Sequence, residues 1–186
     1  MPRSTLTIEG ETFTPVEFSE DGEDDIDMMP FGYRFGWRGQ FADGQLTTLG
    51  RGEGDPLPVL VACPEAAEPE KRQIKTVEWL LKKPEVAARR IVRMCVDARQ
   101  DVYDEQHMGH PKVEKPEDIA GEYHINALLV PPPQEDSRER PPVVVELDTD
   151  FEEEHGFYVL LPATSKGTSW TTFDGIYAEW WNPEEE

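Results

Sequence analysis

Between Ile74 and Val102 the apolar residues follow one rule. Ile74, Val77, Leu80 and Leu81, then Val86, Ala87, Ile91, Met94, Cys95, Ala98 and Val102, recur at helical spacing. Such spacing lines one helix face with apolar side chains and leaves Lys and Glu opposite. Pro84 falls where a proline can open a second helix, since a first-turn N–H needs no partner. The stretch therefore reads as two helices, or one kinked at Lys83-Pro84, running to about Tyr103. Pro64 to Glu70 leads into it, with Pro69 suited to a first-turn position. A helical pair with one apolar stripe must bury it against another layer, and strands flank it on both sides.

On the N-terminal side, Leu6, Ile8, Phe13, Val16 and Phe18 alternate with polar residues around a break at Glu9-Gly10-Glu11. This predicts one or two short, half-buried strands. Tyr33 to Phe41 alternates aromatic residues with polar residues or glycine, and Asp43-Gly44 separates it from Gln45 to Leu49. Asp-Gly tolerates positive φ, so the two runs predict a hairpin. Leu57 to Cys63 predicts a further strand. On the C-terminal side, strands are expected at Tyr123 to Val130, at Val143 to Leu147 pairing antiparallel with Phe157 to Leu161, and at Trp170 to Tyr177. The expected fold class is α+β: one antiparallel sheet covered on one face by the two-helix, or kinked-helix, segment. A chain of 186 residues suits one domain over 1–186, with a mobile acidic loop at 19–30, a mobile Pro-rich loop at 131–142 and a frayed tail at 182–186.

Charge restricts the partners. Thirty-nine acidic against 18 basic residues give −21, a surface that repels nucleic acid and anionic lipid and attracts basic proteins. Generic solvation explains the same charge without a partner. Cys63 and Cys95 form no CxxC pair, and the Met1-Pro2-Arg3-Ser4 start lacks the apolar core of a signal peptide. No run reaches the length of a membrane span. These features place the expected location in the cytoplasm.

Chemistry concentrates at Glu152-Glu153-Glu154-His155-Gly156, ahead of the apolar run Phe157 to Leu161. Glu153 and His155, two apart, could share a strand face, whereas Glu154 and His155 would point apart unless the turn bends them. A site would need a third group, for which His124, Asp148 and Asp150 are candidates. Without a nucleophile or oxyanion donors, a turn in which Gly156 supplies an unusual backbone angle is the simpler reading. His107 and His110 lack a third ligand, so no metal is expected, nor is a cofactor. Asp21, Glu23, Asp24, Asp25 and Asp27 lack the frame of a calcium loop. Cys95 and Met94 sit on the helical stripe and read as core, Cys63 lacks an indicated base, and His124 reads as a strand-surface or core histidine.

Several features in order carry a resemblance: Trp37-Arg38-Gly39 on a strand, a helix with Gln73, Val77, Leu80 and Leu81, a second helix ending in Asp101-Val102-Tyr103, and a late Glu-x-x-His-Gly block from Glu152 to Gly156. The chain resembles, over about residues 33 to 178, a bacterial family known as a domain of unknown function. Its members carry a Glu-His-Gly motif, and some are linked to polymorphic-toxin immunity. The resemblance implies a fold and a setting but no reaction.

The expected function is a non-enzymatic acidic binding protein that sequesters a basic protein, such as a toxin or nuclease. Asp21, Glu23, Asp24, Asp25, Asp27, Glu152, Glu153, Glu154 and His155 would form its contacts, with Trp180 and Trp181 as aromatic anchors. A His155-carboxylate hydrolase or metal-dependent enzyme, and a structural subunit of a larger assembly, are the alternatives. The charge argues against direct contact with nucleic acid or membrane; the oligomeric state is left open.

Overall fold

The computed structural model describes residues 4–17, 33–41, 56–64, 67–105, 113, 116–119, 121–134, 137–152, 156–164, 167–172 and 175–176. Among the described residues, eight strands form one sheet in chain order: β1 (Leu6–Ile8), β2 (Glu11–Glu17), β3 (Phe35–Phe41), β4 (Leu57–Cys63), β5 (Tyr123–Val130), β6 (Val143–Thr149), β7 (Phe157–Leu161) and β8 (Ser169–Thr171). Among the described residues, two α-helices, α1 (Lys71–Lys82) and α2 (Pro84–Glu105), and a short 3-10 turn at Pro116–Ile119 lie between β4 and β5. The α+β architecture with helices packed on a sheet is thus what the apolar periodicities predict.

One pairing departs from the antiparallel expectation. β4 and β5 run parallel, with Val59 opposite Leu128 and Val61 opposite Val130, whereas every other pair is antiparallel. Parallel neighbours need a long crossover, and the helical pair is that crossover. β4 is buried along nearly its whole length because it is covered on both sides. Val59, Val61 and Cys63 join Val77, Leu80, Ala87, Ile91, Cys95 and Ala98 in the helix-side core. Leu60 and Ala62 join Leu129, Val144, Tyr158 and Ile176 on the other face. Burial on both faces explains the unbroken Leu-Pro-Val-Leu-Val-Ala-Cys run.

Gln73 fixes where the crossover begins. Its side chain is buried, and Nε2 lies 2.7 Å from the Ala62 carbonyl oxygen, 3.3 Å from that of Val130 and 3.2 Å from that of Pro131. Its Oε1 accepts the Glu70 backbone N–H at 2.9 Å, one half of a capping box. The helix therefore starts at Lys71, and Pro69 precedes the cap rather than occupying the first turn. At the other end, the Lys83 N–H bonds the Trp79 and Leu80 carbonyls, and Pro84 opens α2.

The Trp37-Arg38-Gly39 signature also has a packing cause. Trp37 is buried, and its Nε1–H donates to the Ala67 carbonyl at 3.2 Å. A Cβ on Gly39 would stand 2.6 Å from the Phe13 ring, so glycine lets that ring lie against β3. The expected partner run at Gln45 to Leu49 lies outside the described residues, and β3 pairs with β4 directly. The last strand is shorter than the expected Trp170 to Tyr177. It stops at Thr171, and the Ile176 N–H bonds the Thr172 carbonyl at 3.1 Å in helical fashion, turning the chain out of the sheet. Among the described residues, no helix is long and apolar enough to cross a membrane.

Cys95 is a core side chain, as its place on the stripe predicts. Burial pushes its thiol from 9.0 up to about 12, and it likewise pushes the Tyr123 phenol from 10.0 up to about 12. A raised folded-state value favours the neutral group. The stabilisation from Cys95 is therefore complete below pH 9 and is lost as pH rises from 9 to about 12. We expect urea denaturation to show a fall in stability between pH ~8 and pH ~10.5 of which about 2 kcal/mol comes from Cys95; Cys95→Ala should remove that part and leave the part due to the raised phenols. Gln73→Ala, which strips the donor from buried carbonyls, should cost about 2 kcal/mol in the same assay.

Candidate functional site: the polar end of the β5–β6–β7 sheet

Register places the acidic segment at one end of the sheet. Leu147 pairs with Phe157, so β6 and β7 open towards the connection that carries Glu152 to Gly156. Glu152 is half-buried at the start of this turn. Its N–H donates to Thr149 Oγ1 at 3.1 Å, and that hydroxyl donates back to the Glu152 carbonyl at 3.3 Å. The Asp150 N–H donates to the Glu122 carbonyl at 2.9 Å, tying the turn to the start of β5. Phe151 packs edge-on against Phe157 with centroids 5.3 Å apart, and Phe157 stacks on Trp170 at 5.6 Å. An apolar anchor thus holds the base of a charged turn.

Gly156 has φ +67, the left-handed region expected of it, and a Cβ there would come 3.4 Å from the Tyr158 ring. Glu153, Glu154 and His155 lie outside the described residues, as do Asp21, Glu23, Asp24, Asp25 and Asp27, Trp180 and Trp181, and His107 and His110. Of the expected contact residues, Glu152 alone can be placed.

Two of the candidate third groups prove to be each other's partners. His124 and Asp148 sit directly opposite on β5 and β6, with Nε2 2.9 Å from Oδ2. The pairing register shifts between Ile125 and Ala127, leaving Asn126 as an extra residue in β5. A bulge re-aims the side chains near it, and Asn126 Nδ2 donates to Asp148 Oδ1 at 2.7 Å. The Asp148 carboxylate thus holds both an imidazole and an amide, with His124 and Asp148 side chains 45% and 60% exposed. This is the strand-surface reading of His124, with a fixed orientation added. His124 stands five residues before Leu129 and Asp148 four after its partner Val144, a mismatch that the one-residue bulge at Asn126 absorbs.

Tyr158 lies opposite Glu146 on the same face and is buried. Its phenol is pushed far above its usual value, first by burial and then by the charges of Glu146 and Asp148, so it keeps its proton. The arrangement provides an oriented imidazole, exposed carboxylate and a neutral phenol, and so favours cationic or hydrogen-bonding groups. Among the described residues, no cluster of His, Cys, Asp and Glu could hold a metal ion. Cys63 is buried, its thiol donating to the Val61 carbonyl at 3.8 Å.

Behind this end, Arg99 is buried on α2 and forks onto Glu122, with Nη2 3.1 Å from Oε1 and Nε on Oε2. Its guanidinium also lies 4.7 Å from the Tyr103 ring centroid. Bidentate pairing adds direction to charge. Because the Glu122 carbonyl receives Asp150, α2 braces the acidic turn through one residue. Gly156→Ala should cost about 1 kcal/mol for left-handed backbone with a Cβ, and Gly156→Asn less, in equilibrium unfolding.

The comparisons with known proteins bear on the fold's family and leave the chemistry open. No curated protein and no solved structure matches the chain. A family described as a domain of unknown function, DUF6985, matches residues 28–175. That span runs from ahead of β3 through β8 and includes the helical crossover, the polar end and the acidic turn. The chain belongs to the DUF6985 family.

Proposed function

We propose that this protein is a non-enzymatic acidic binding module that captures a basic protein in the cytoplasm, as an immunity protein captures a toxin or nuclease. The observation that carries the reading is the −21 charge, together with the gathering of exposed Asp148 and Asp150 and half-exposed Glu152 at one end of the sheet. A like-signed patch of this kind raises encounter rates with a cationic partner and discriminates against anionic ones. The Glu154-His155-Gly156 motif and the Asp21 to Asp27 run would extend the same surface, with Trp180 and Trp181 supplying apolar anchors.

The brace behind the turn supports binding rather than solvation alone. A surface selected for solubility needs no fixed geometry, whereas Arg99, Thr149 and Phe151 hold this turn in place. Rigid presentation limits the ordering cost of association.

The test uses the full chain as bait in extract of its source cells at low and high salt, with retained proteins identified by mass spectrometry and rebound in purified form. We expect a basic protein whose association rate falls about tenfold or more with added salt, and similarly when Glu152, Glu153 and Glu154 are changed to Gln. Salt-indifferent binding or recovery of no basic partner would sink the proposal. A persistent oligomer at native concentration would favour the structural-subunit reading instead. Hydrolytic activity lost in His155→Ala with the fold intact would favour the enzyme.

A further inference from the structure

The opposite end of the sheet has a different character. There Val143 pairs with Leu161, and the chain on either side of this pair forms a groove of about 260 Å³. One wall is formed by described residues between Pro133 and Pro142, ahead of β6, and the other by Leu160, Pro162, Gly167 and Ser169. Pro133, Pro141 and Leu160 supply apolar surface, while Gln134, Ser137, Arg140 and Ser169 supply polar groups. The volume lies just below the ~300–1,000 Å³ of ordinary ligand clefts, so the groove suits a small molecule or one chain end.

Four helix side chains hold these walls. Thr76 Oγ1 donates to the Pro141 carbonyl at 2.9 Å, Gln73 bonds that of Pro131 at 3.2 Å, and Arg72 Nη1 bonds that of Ser137. Opposite them, Arg90 donates to the Pro162 carbonyl at 2.8 Å, the Thr164 carbonyl at 2.7 Å and Thr168 Oγ1 at 2.8 Å. Both walls are therefore positioned by the helical layer before any ligand arrives.

This bracing also sets the polarity. The backbone carbonyls of Pro131, Ser137, Pro141 and Pro162 are turned to the helices and engaged there. Ser137 Oγ accepts the Glu139 N–H at 3.1 Å, which leaves its hydroxyl proton to donate. Among the described lining residues Arg140 is the one cation and the one donor-only group, and the Gln134 amide and the Ser137 and Ser169 hydroxyls beside it can donate as well as accept. Arg90 adds a positive charge behind the wall whose hydrogen bonds all go to neutral oxygens. Among the described lining residues, Glu139 is the one carboxylate. A guanidinium flanked by side chains that can also donate suits an acceptor-only group, and the proline and leucine surface suits a carbon body beside it.

We infer that this groove binds a small organic carboxylate, with Arg140 as its charged anchor. The inference is independent of the proposed capture of a basic protein, whose surface is at the other end of β6 and β7. A carboxylate on Arg140 gains charge-assisted hydrogen bonds in a fork that a lysine could not copy. The carboxylate could belong to a free acid or to the C-terminus of a peptide, and the two sources differ in whether the carbon body continues as chain.

The experiment is ¹H–¹⁵N NMR titration of the full chain with propionate, phenylacetate, inorganic phosphate, butylamine, and one short peptide as free acid and as C-terminal amide. We expect saturable shifts at Gln134, Ser137, Arg140 and Ser169 with the carboxylates, weakened about ten- to a hundredfold by Arg140→Gln. Arg140 is exposed, so this variant should fold, as circular dichroism would verify. Arg138→Gln should leave binding within about twofold, because Arg138 is not among the lining residues. Phenylacetate binding more tightly than the free-acid peptide assigns a free acid; the reverse order, abolished by amidation, assigns a chain end. The inference fails if no carboxylate saturates these sites, if Arg140→Gln leaves affinity unchanged, or if phosphate or butylamine binds as well as the carboxylates.

Discussion

One buried amide joins three parts of this fold. Gln73 meets the ends of β4 and β5, the only parallel neighbours among the described strands, and at the same time caps α1. Parallel strands terminate with carbonyls at the same edge, and a crossover helix starting beside that edge leaves those carbonyls buried. Buried carbonyls without donors are costly. A glutamine in the first turn is long enough to reach them while its oxygen satisfies an N–H at its own helix start. The crossover, the strand register and the first helix turn are therefore one arrangement.

From that corner the layers follow. The helices cover one face of the sheet with the periodic stripe from Val77 to Val102, and a smaller cluster around Leu60, Val144 and Tyr158 fills the other. Apolar burial on both faces confines polar groups to the two ends of the central strands. At one end Arg99 steadies a carboxylate-rich turn; at the other Arg72, Thr76 and Arg90 hold two loops apart around a groove. The excess of acids over bases is thus an average over a molecule whose arginines are unevenly spent. Arginine serves in each case because its planar fork can satisfy several oxygens at once.

Much of this was legible in the chain because local spacing carries it. The stripe located both helices and Pro84 their junction, while alternation located β2 and β3, and an unbroken apolar run located β7, to within a residue or two at most ends. The role of Gly156 followed from its place before an apolar run. The partnership of His124 with Asp148 could not be read in the same way. A bulge at Asn126 shifts the pairing by one residue, and the preceding loop gives no local sign of it. The early end of β8 was likewise hidden, since Trp170 to Tyr177 keeps strand-like composition while the Thr172–Ile176 hydrogen bond turns it away.

By itself, then, the sequence determined the α+β class, the helical pair, the free buried cysteines and a strongly acidic net charge. These depend on residue periodicity and charge, which are properties of neighbours along the chain. Tertiary structure alone decided the parallel β4–β5 pairing, the carbonyl-binding role of Gln73, the Arg99–Glu122 brace and the groove beside Arg140. Each brings together groups separated by many residues, and the strand order that does so is selected by burial of the whole core rather than by any local preference.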